Sequence, residues 1–331
     1  MNSSHKSQEI PFSLNGKRVW VAGHTGMVGS ALVRRLQREN CEILKVSRSE
    51  LDLTRQYETE QWMAAARPEV IFVAAAKVGG IAANAAYPAD FLYINTLISM
   101  NIMKSAADIG VEKLLWMGSS CIYPKFAAQP ITENSLLTGP LEPTNEAYAI
   151  AKIAALKLSQ FYSSQYGLNC VSVMPTNIYG LNDNFDPQSS HVIPAMIRRM
   201  HEAKISGQNK IVLWGTGSPL REFLHVDDLA DACCFLMKSS AHFPLINIGS
   251  GREISIRNLA HLIAGIVGYD GQIVFDTSKP DGAPRKLLDC SRLNALGWNS
   301  TVELRYGIQD LYEWWRQPKS LQSDMLRQAA R

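Results

Sequence analysis

Residues 18–29 constrain this chain more than any other stretch. An apolar run, Arg18-Val19-Trp20-Val21-Ala22, stops at Gly23-His24-Thr25-Gly26-Met27-Val28-Gly29, after which Val28, Ala31, Leu32 and Leu36 recur at helical spacing. Strand, glycine turn and helix must therefore follow one another directly. The alternation continues, with strands expected at 43–46, 70–74, 113–117 and 170–174 and helices through 62–66, from about 90 to 109, and over 147–166. Strands alternating with helices predict an α/β chain built on a doubly wound parallel sheet covered on both faces.

Beyond Asn177 the regularity weakens. Helices at 192–203 and 259–267 and strands at 211–213 and 273–275 are separated by Gly, Pro and Asn clusters, which predicts a smaller mixed α/β domain. At 331 residues the chain exceeds the roughly 250–300 at which one core stops growing, so two domains are expected. The core-like runs 223–238 and 245–248 place the return to the first domain. The expected division is a mobile tail over 1–16, a first domain over 17–180 plus about 221–250, and a substrate domain over about 181–220 plus 251–331.

Composition excludes several classes. Hydrophobic residues at 46% and charged residues at 19% rule out a disordered chain. The longest apolar run, 70–76, is far short of the ~20 residues that span a bilayer, so no membrane partner is expected. A net charge of +3 is too small and scattered for nucleic acid, and any anion must be bound locally. The polar amino terminus lacks the pattern of an export signal, and six cysteines without a CxxC pair suit a reducing, cytoplasmic setting with no metal.

Glycines at 23, 26 and 29 stand where a backbone must turn tightly and approach a pyrophosphate, and the following helix offers its free N–H groups to that phosphate. Gly23 to Gly29, with His24, Thr25, Met27 and Val28 between the glycines, is thus the expected dinucleotide turn. After the second strand come Val46-Ser47-Arg48-Ser49, with no carboxylate for a ribose 2′-hydroxyl and an arginine for a 2′-phosphate. Arg48 therefore favours NADP; the plainer alternative is a solvated surface arginine. Asp52 either sits by the adenine or caps the next helix.

Tyr148 and Lys152 lie four apart, hence on one helix face, where a lysine would stabilise a tyrosine's phenolate and make a proton relay. Strand 113–117 ends in Gly118-Ser119-Ser120, at the carboxyl edge where parallel sheets bind ligands. With the glycine turn, Ser119 and Tyr148xxxLys152, the chain resembles the extended short-chain dehydrogenase/reductases that act on nucleotide sugars. The resemblance implies a Rossmann-like domain, Ser119 and Tyr148 on the sugar C4 oxygen, Lys152 on the nicotinamide ribose, and a homodimer formed by first-domain helices. The segment 221–228 resembles that family's pyrophosphate-contacting stretch.

Longer strings narrow the resemblance: Gly118-Ser119-Ser120-Cys121-Ile122-Tyr123-Pro124-Lys125, Met174-Pro175-Thr176-Asn177, Ser190-His191-Val192-Ile193-Pro194 and the segment 279–286. They match the bifunctional 3,5-epimerase-4-reductases of that family, over nearly the whole chain from about Lys17. By that resemblance the substrate would be GDP-4-keto-6-deoxy-D-mannose, inverted at C3 and C5 by Cys121 and His191 and reduced at C4 by NADPH. Met117, Gly118, Ser119, Ser120, Pro175, Thr176, Asn177, Ile178 and His191 would line the cofactor. Arg199, Arg221 and Lys286 would meet the GDP phosphates, Trp214 the guanine, and Asp281 the nucleotide or sugar end. One departure is Thr25, where some members carry an arginine, so NADP preference leans on Arg48. The remaining alternatives are a 4-epimerase or 4,6-dehydratase of the same fold, and a noncatalytic NADP-binding regulator. A dehydratase would want a carboxylate near Ser119, where this chain has Cys121. His201, His225, His242 and His261 read as structural, as do the other five cysteines.

Overall fold

The computed structural model describes residues 11–328 apart from His242 and Pro280. The first half alternates as its sequence requires: β1 (Arg18–Ala22), α1 (Met27–Leu36), β2 (Glu42–Leu44), α2 (Gln56–Ala66), β3 (Val70–Val73), α3 (Ile81–Ala86), α4 (Pro88–Ile109), β4 (Lys113–Met117), α5 (Glu146–Tyr166) and β5 (Cys170–Pro175). The second half holds β6 (Asn177–Tyr179), α6 (Val192–Ile205), β7 (Lys210–Trp214), β8 (Leu220–His225), α7 (Val226–Lys238), β9 (Ile246–Ile248), β10 (Glu253–Ser255) and α8 (Ile256–Val267). It closes with β11 (Gln272–Asp276), β12 (Arg285–Lys286), α9 (Ser291–Ala295), α10 (Leu304–Arg316) and α11 (Lys319–Gln328).

Six strands form one parallel sheet in the order β2-β1-β3-β4-β5-β9. Its strands are apolar on both faces because each face meets helices. Val19 and Val21 enter the core beneath α1 and α7, whereas Trp20 and Ala22 enter the core beneath α2, α4 and α5. Each such fully buried aliphatic side chain contributes roughly 1.5–3 kcal/mol. The strand order reverses between β1 and β3, and ligands in such sheets bind in the crevice that the reversal opens.

The second unit holds a four-stranded sheet in which β8 pairs with β6, β10 and β12, and a separate pair of β7 with β11. Its core lies among α6, α8 and α10, around Met196, Ile197, Leu259, Ile263, Ile308 and Leu311.

Four sequence expectations change here. Strand β8, expected in the first domain, pairs in the second sheet; of the stretch 221–250, α7 and β9 return to the first. Leu288, Cys290, Leu293 and Trp298, expected in the substrate domain, are buried in the first-domain cores. The tail expected over 1–16 is shorter: Phe12 N donates to the Lys238 carbonyl at 2.9 Å and Leu14 is buried beside β1, while residues 1–10 lie outside the described range. Asp52 does not cap α2, whose N-cap is Arg55; it accepts from Thr54 N and Oγ1, closing its own turn. His242 lies outside the described residues. Among the described residues no helix is long and apolar enough to cross a membrane.

Candidate active site

One cleft of about 1490 Å³ runs from the β1–β3 crevice to the second unit, and every site residue expected from the sequence lines it. A small-molecule pocket is usually about 300–1,000 Å³, so this cleft has room for two ligands end to end.

At the crevice end, Gly23 has φ +83, and a side chain there would come within 2.7 Å of the Ala75 backbone. Only glycine fits this turn. Gly26 is the N-cap of α1, without a side-chain cap and with no acidic residue in the first turn, so the helix presents its N–H groups and positive dipole end uncompensated. The ring nitrogen Nδ1 of His24 is buried there without a hydrogen-bond partner. Arg48 is exposed on the cleft wall. The nearest carboxylate in sequence, Glu50, folds back to accept from Ser47 N and Oγ at 2.9 and 2.6 Å. This donor set fits a nicotinamide dinucleotide. Met117–Ser120 and Pro175–Ile178 supply the floor, from the carboxyl ends of β4 and β5 and the start of β6.

The chemical groups converge where β4 ends. Ser119 Oγ accepts from Cys121 N at 3.3 Å, which winds Ser120–Ile122 into a single tight turn and brings the buried Cys121 beside the serine. From α5, Tyr148 packs edge-on against Phe91 at 6.2 Å, and Lys152 Nζ lies 5.6 Å from the Tyr148 ring. Lys152 donates to the Met117 carbonyl at 2.8 Å and lies 4.8 Å from the Trp116 ring. Burial lowers the Lys152 ammonium to about 8, although the Cys121 charge opposes this. Burial likewise pushes the Cys121 thiol up, with Lys286, Ser119 and Lys152 pulling the other way. The Tyr148 phenol is pushed well up, by burial first and by Cys121 second. No lowering by Lys152 is seen: its ammonium is held on the Met117 carbonyl, and burial together with Cys121 sets the phenol. At neutral pH the Tyr148 phenol keeps its proton. His191 is the N-cap residue of α6, half exposed, with no side-chain cap bond.

The far end of the cleft is cationic. Arg199, Arg221 and Lys286 line it, and among the described residues none of the three has a carboxylate within ion-pair distance. Burial lowers both Arg221 and Lys286. Glu142 opposes this at both cations and Asp281 at Arg221, each from beyond ion-pair distance, and a diphosphate would offset the desolvation cost that remains. Arg199 and Arg221 keep one arm on the Val212 and Leu220 carbonyls, at 2.6 and 2.7 Å. The alternation of β7 turns Ile211 and Leu213 inward and leaves Trp214 71% exposed, an open face for stacking. Asp281 lines the same end, and its two carboxylate oxygens accept from Thr216, from N at 2.9 Å and Oγ1 at 2.7 Å. It holds the turn beside Trp214 in place.

Three contributors went unassigned in sequence. Lys77 lines the cleft, paired with Asp90 at 2.7 Å, and its backbone N donates to the buried Asn95. Glu142 pairs with Lys125 at 3.1 Å on the same wall. Asp183 is buried behind His191. Lys77 and Glu142 lie in two further strings that carry the family resemblance, 74–80 and 141–146, so a signal existed for both; a lone acid in a loop, as at Asp183, carries none.

Residues 19–249 match the NAD dependent epimerase/dehydratase family. The chain is 56% identical over 302 residues to a GDP-L-fucose synthase of Sinorhizobium fredii, covering 91% of this chain and 96% of that protein. It is 51% identical over 311 residues to the GDP-L-fucose synthase of Escherichia coli, covering 91% and 97%. Among solved structures, a GDP-L-fucose synthetase from Naegleria fowleri bound to NADP superposes with a TM-score of 0.85 at 29% identity, covering 94% and 97% of the two chains.

Proposed function

The chain belongs to the NAD dependent epimerase/dehydratase family, among the GDP-L-fucose synthases, and from that premise we propose how its own residues divide the work. The reaction converts GDP-4-keto-6-deoxy-D-mannose to GDP-L-fucose by inversion at C3 and C5 and reduction at C4. The observation that carries the residue roles is the meeting of Ser119, Cys121, Tyr148, Lys152 and His191 in one cleft with a cationic far end.

The 4-keto group acidifies the protons on C3 and C5. Inversion needs a base on one face of the sugar and an acid on the other. Cys121, from the floor, and His191, from the helix α6 wall, form that pair. The Ser119 and Tyr148 hydroxyls hold the C4 oxygen and stabilise the enolate that forms on it. Arg199, Arg221 and Lys286 bind the diphosphate, and Trp214 stacks on the guanine. The glycine turn and Lys152 hold the dinucleotide, and Arg48 selects NADP through its 2′-phosphate. The bound nicotinamide supplies the hydride for C4. Tyr148, whose phenol keeps its proton, donates it to the C4 oxygen.

A homodimer through α4 and α5 is supported by the exposed side chains Tyr93, Met100, Ile150 and Phe161 on adjacent helices. Six free cysteines support a reducing, cytoplasmic location.

The test is incubation with GDP-4-keto-6-deoxy-D-mannose and NADPH in deuterated water, reading label positions and cofactor oxidation together. Label at both carbons with loss of NADPH is expected; reduction without exchange would leave a plain reductase. Cys121→Ser is expected to lower exchange by about 10²–10⁴ while NADPH binding stays within about twofold. Exchange at the wild-type rate would remove Cys121 from its role.

A further inference from the structure

Asp183 is among the most deeply buried carboxylates of the second unit, with its side chain 2% exposed. Its Oδ1 accepts from Asn184 N at 2.7 Å, but its Oδ2 is buried without a hydrogen-bond partner. A buried carboxylate oxygen left unpaired costs more than most single hydrogen bonds return, so a donor is expected to reach it. The imidazole of His191 stands beside it, with Nδ1 at 4.0 Å from Oδ1. That ring is 47% exposed and faces the cleft.

The loop between them is anchored at both ends. Asn182 Nδ2 donates to the Thr25 carbonyl of the glycine turn at 2.9 Å, and Gly80 N donates to the Ser189 carbonyl at 3.1 Å. Asp183 N donates to the Gly180 carbonyl at 3.1 Å. The backbone around Asp183 is thus tied down on both sides, while no side-chain cap hydrogen bond holds the His191 ring. Its Nδ1–H would close the 4.0 Å gap by a small rotation, as catalytic hydrogen bonds commonly tighten only when substrate binds.

We infer that Asp183 is the positioning residue for His191: it accepts the Nδ1–H, directs Nε2 at the substrate carbon, and stabilises the imidazolium present when the ring holds the transferred proton. The roles parallel those of the carboxylate behind the histidine in hydrolase triads. The inference rests on the reading of His191 as one member of the epimerisation pair. The proton balance is simple: one proton leaves the sugar carbon on one face, one arrives on the other, and Asp183 takes part only as a hydrogen-bond acceptor.

The experiment uses the full chain with Asp183→Asn, His191→Asn and the double variant. Asp183→Asn keeps size and shape and is expected to lower His191-dependent solvent exchange about 10–100-fold, a part of the ~10²–10⁴ that an acid–base group supplies. The KM for the nucleotide sugar and the Kd for NADPH stay within about threefold, since no phosphate contact changes. In the His191→Asn background the same substitution has no further effect on exchange. The ¹⁵N shifts of His191 report the Nδ1–H tautomer in the parent and a mixture in Asp183→Asn. Unchanged exchange in Asp183→Asn, or the same fold loss with and without His191, would overturn the inference. Wild-type exchange in His191→Asn would instead overturn the reading beneath it, whatever Asp183 does. If Asp183→Asn fails to fold, Asp183→Glu, which keeps the charge, is expected to retain the Nδ1–H tautomer; loss of that tautomer also overturns the inference.

Discussion

Replacing Gly29 with alanine separates what the glycine turn does for the fold from what it does for the ligand. Gly29 lies in the first turn of α1, and an added Cβ would come within 2.6 Å of the Gly23 carbonyl carbon and 2.8 Å of His24 Cα. Both obstacles are backbone, so no side chain can swing aside and α1 must move off the turn as a body. Overpacking of this kind costs roughly 1–3 kcal/mol. At about 2–4 °C per kcal/mol for domains of 150–250 residues, Tm falls by roughly 2–12 °C. If the displaced turn carries the strain, NADPH affinity falls by about 5–140-fold, at tenfold per 1.4 kcal/mol. Gly26→Ala is the control. At φ −77 its Cβ would meet only the Gly23 carbonyl oxygen, at 3.6 Å, an ordinary contact. Its Tm is expected to stay within about 2 °C, while the methyl group on the cleft-lining N-cap weakens NADPH. Differential scanning fluorimetry without ligand and titration of NADPH fluorescence read the two effects. A Gly29→Ala protein with the parent Tm would refute the packing argument, and a Gly26→Ala protein with the parent affinity would refute the close approach of the pyrophosphate.

The other expectations come from the same geometry. Tyr148→Phe removes the proton donor to the C4 oxygen, so single-turnover NADPH oxidation should slow by about 10²–10⁴; a near-normal rate would assign another donor. Arg48→Ala should raise the Kd for NADPH roughly 10–100-fold and leave NADH unchanged, as befits a charge-assisted bond to the 2′-phosphate, and equal losses for both would remove Arg48 from cofactor choice. The kcat/KM for reduction should decline above about pH 8, where free Lys152 loses its ammonium; a profile flat to pH 10 would argue that its charge is not needed. In folding, the lowered value makes the buried ammonium a cost in full below about 8. That cost eases between 8 and 10.5, because there the unfolded chain binds the proton and the folded one does not, so stability from this residue rises with pH.

What was legible in sequence was local. The glycine spacing 23–26–29, the strand 113–117 and the Tyr148–Lys152 pair each depend on neighbours within a few residues, and β4 and α5 fall where the pattern places them. Strand β8 escapes such a reading because an apolar run states that it is buried without stating in which sheet. Phe12 and Leu14 sit in a polar segment too short to show a period. The return of 288–298 to the first-domain cores, through the Ile131–Leu288 bridge and the packing of α9 on β9, is a long-range pairing with no local mark.

Periodicity and backbone sterics act over a few residues, so the order of residues alone specifies a parallel sheet wound on both faces, a tight glycine turn at its first crossover and the candidate reactive groups. The protonation of the centre and the company its residues keep are set by packing in three dimensions. Tyr148 is held as a phenol by burial and by Cys121 beside it, and three cations face one cleft with no carboxylate at ion-pair distance among the described residues. Asp183 stands behind His191 because a loop anchored to the glycine turn carries it there. Desolvation and counter-ion placement are sums over everything that surrounds a group, and most of those surroundings are distant in sequence.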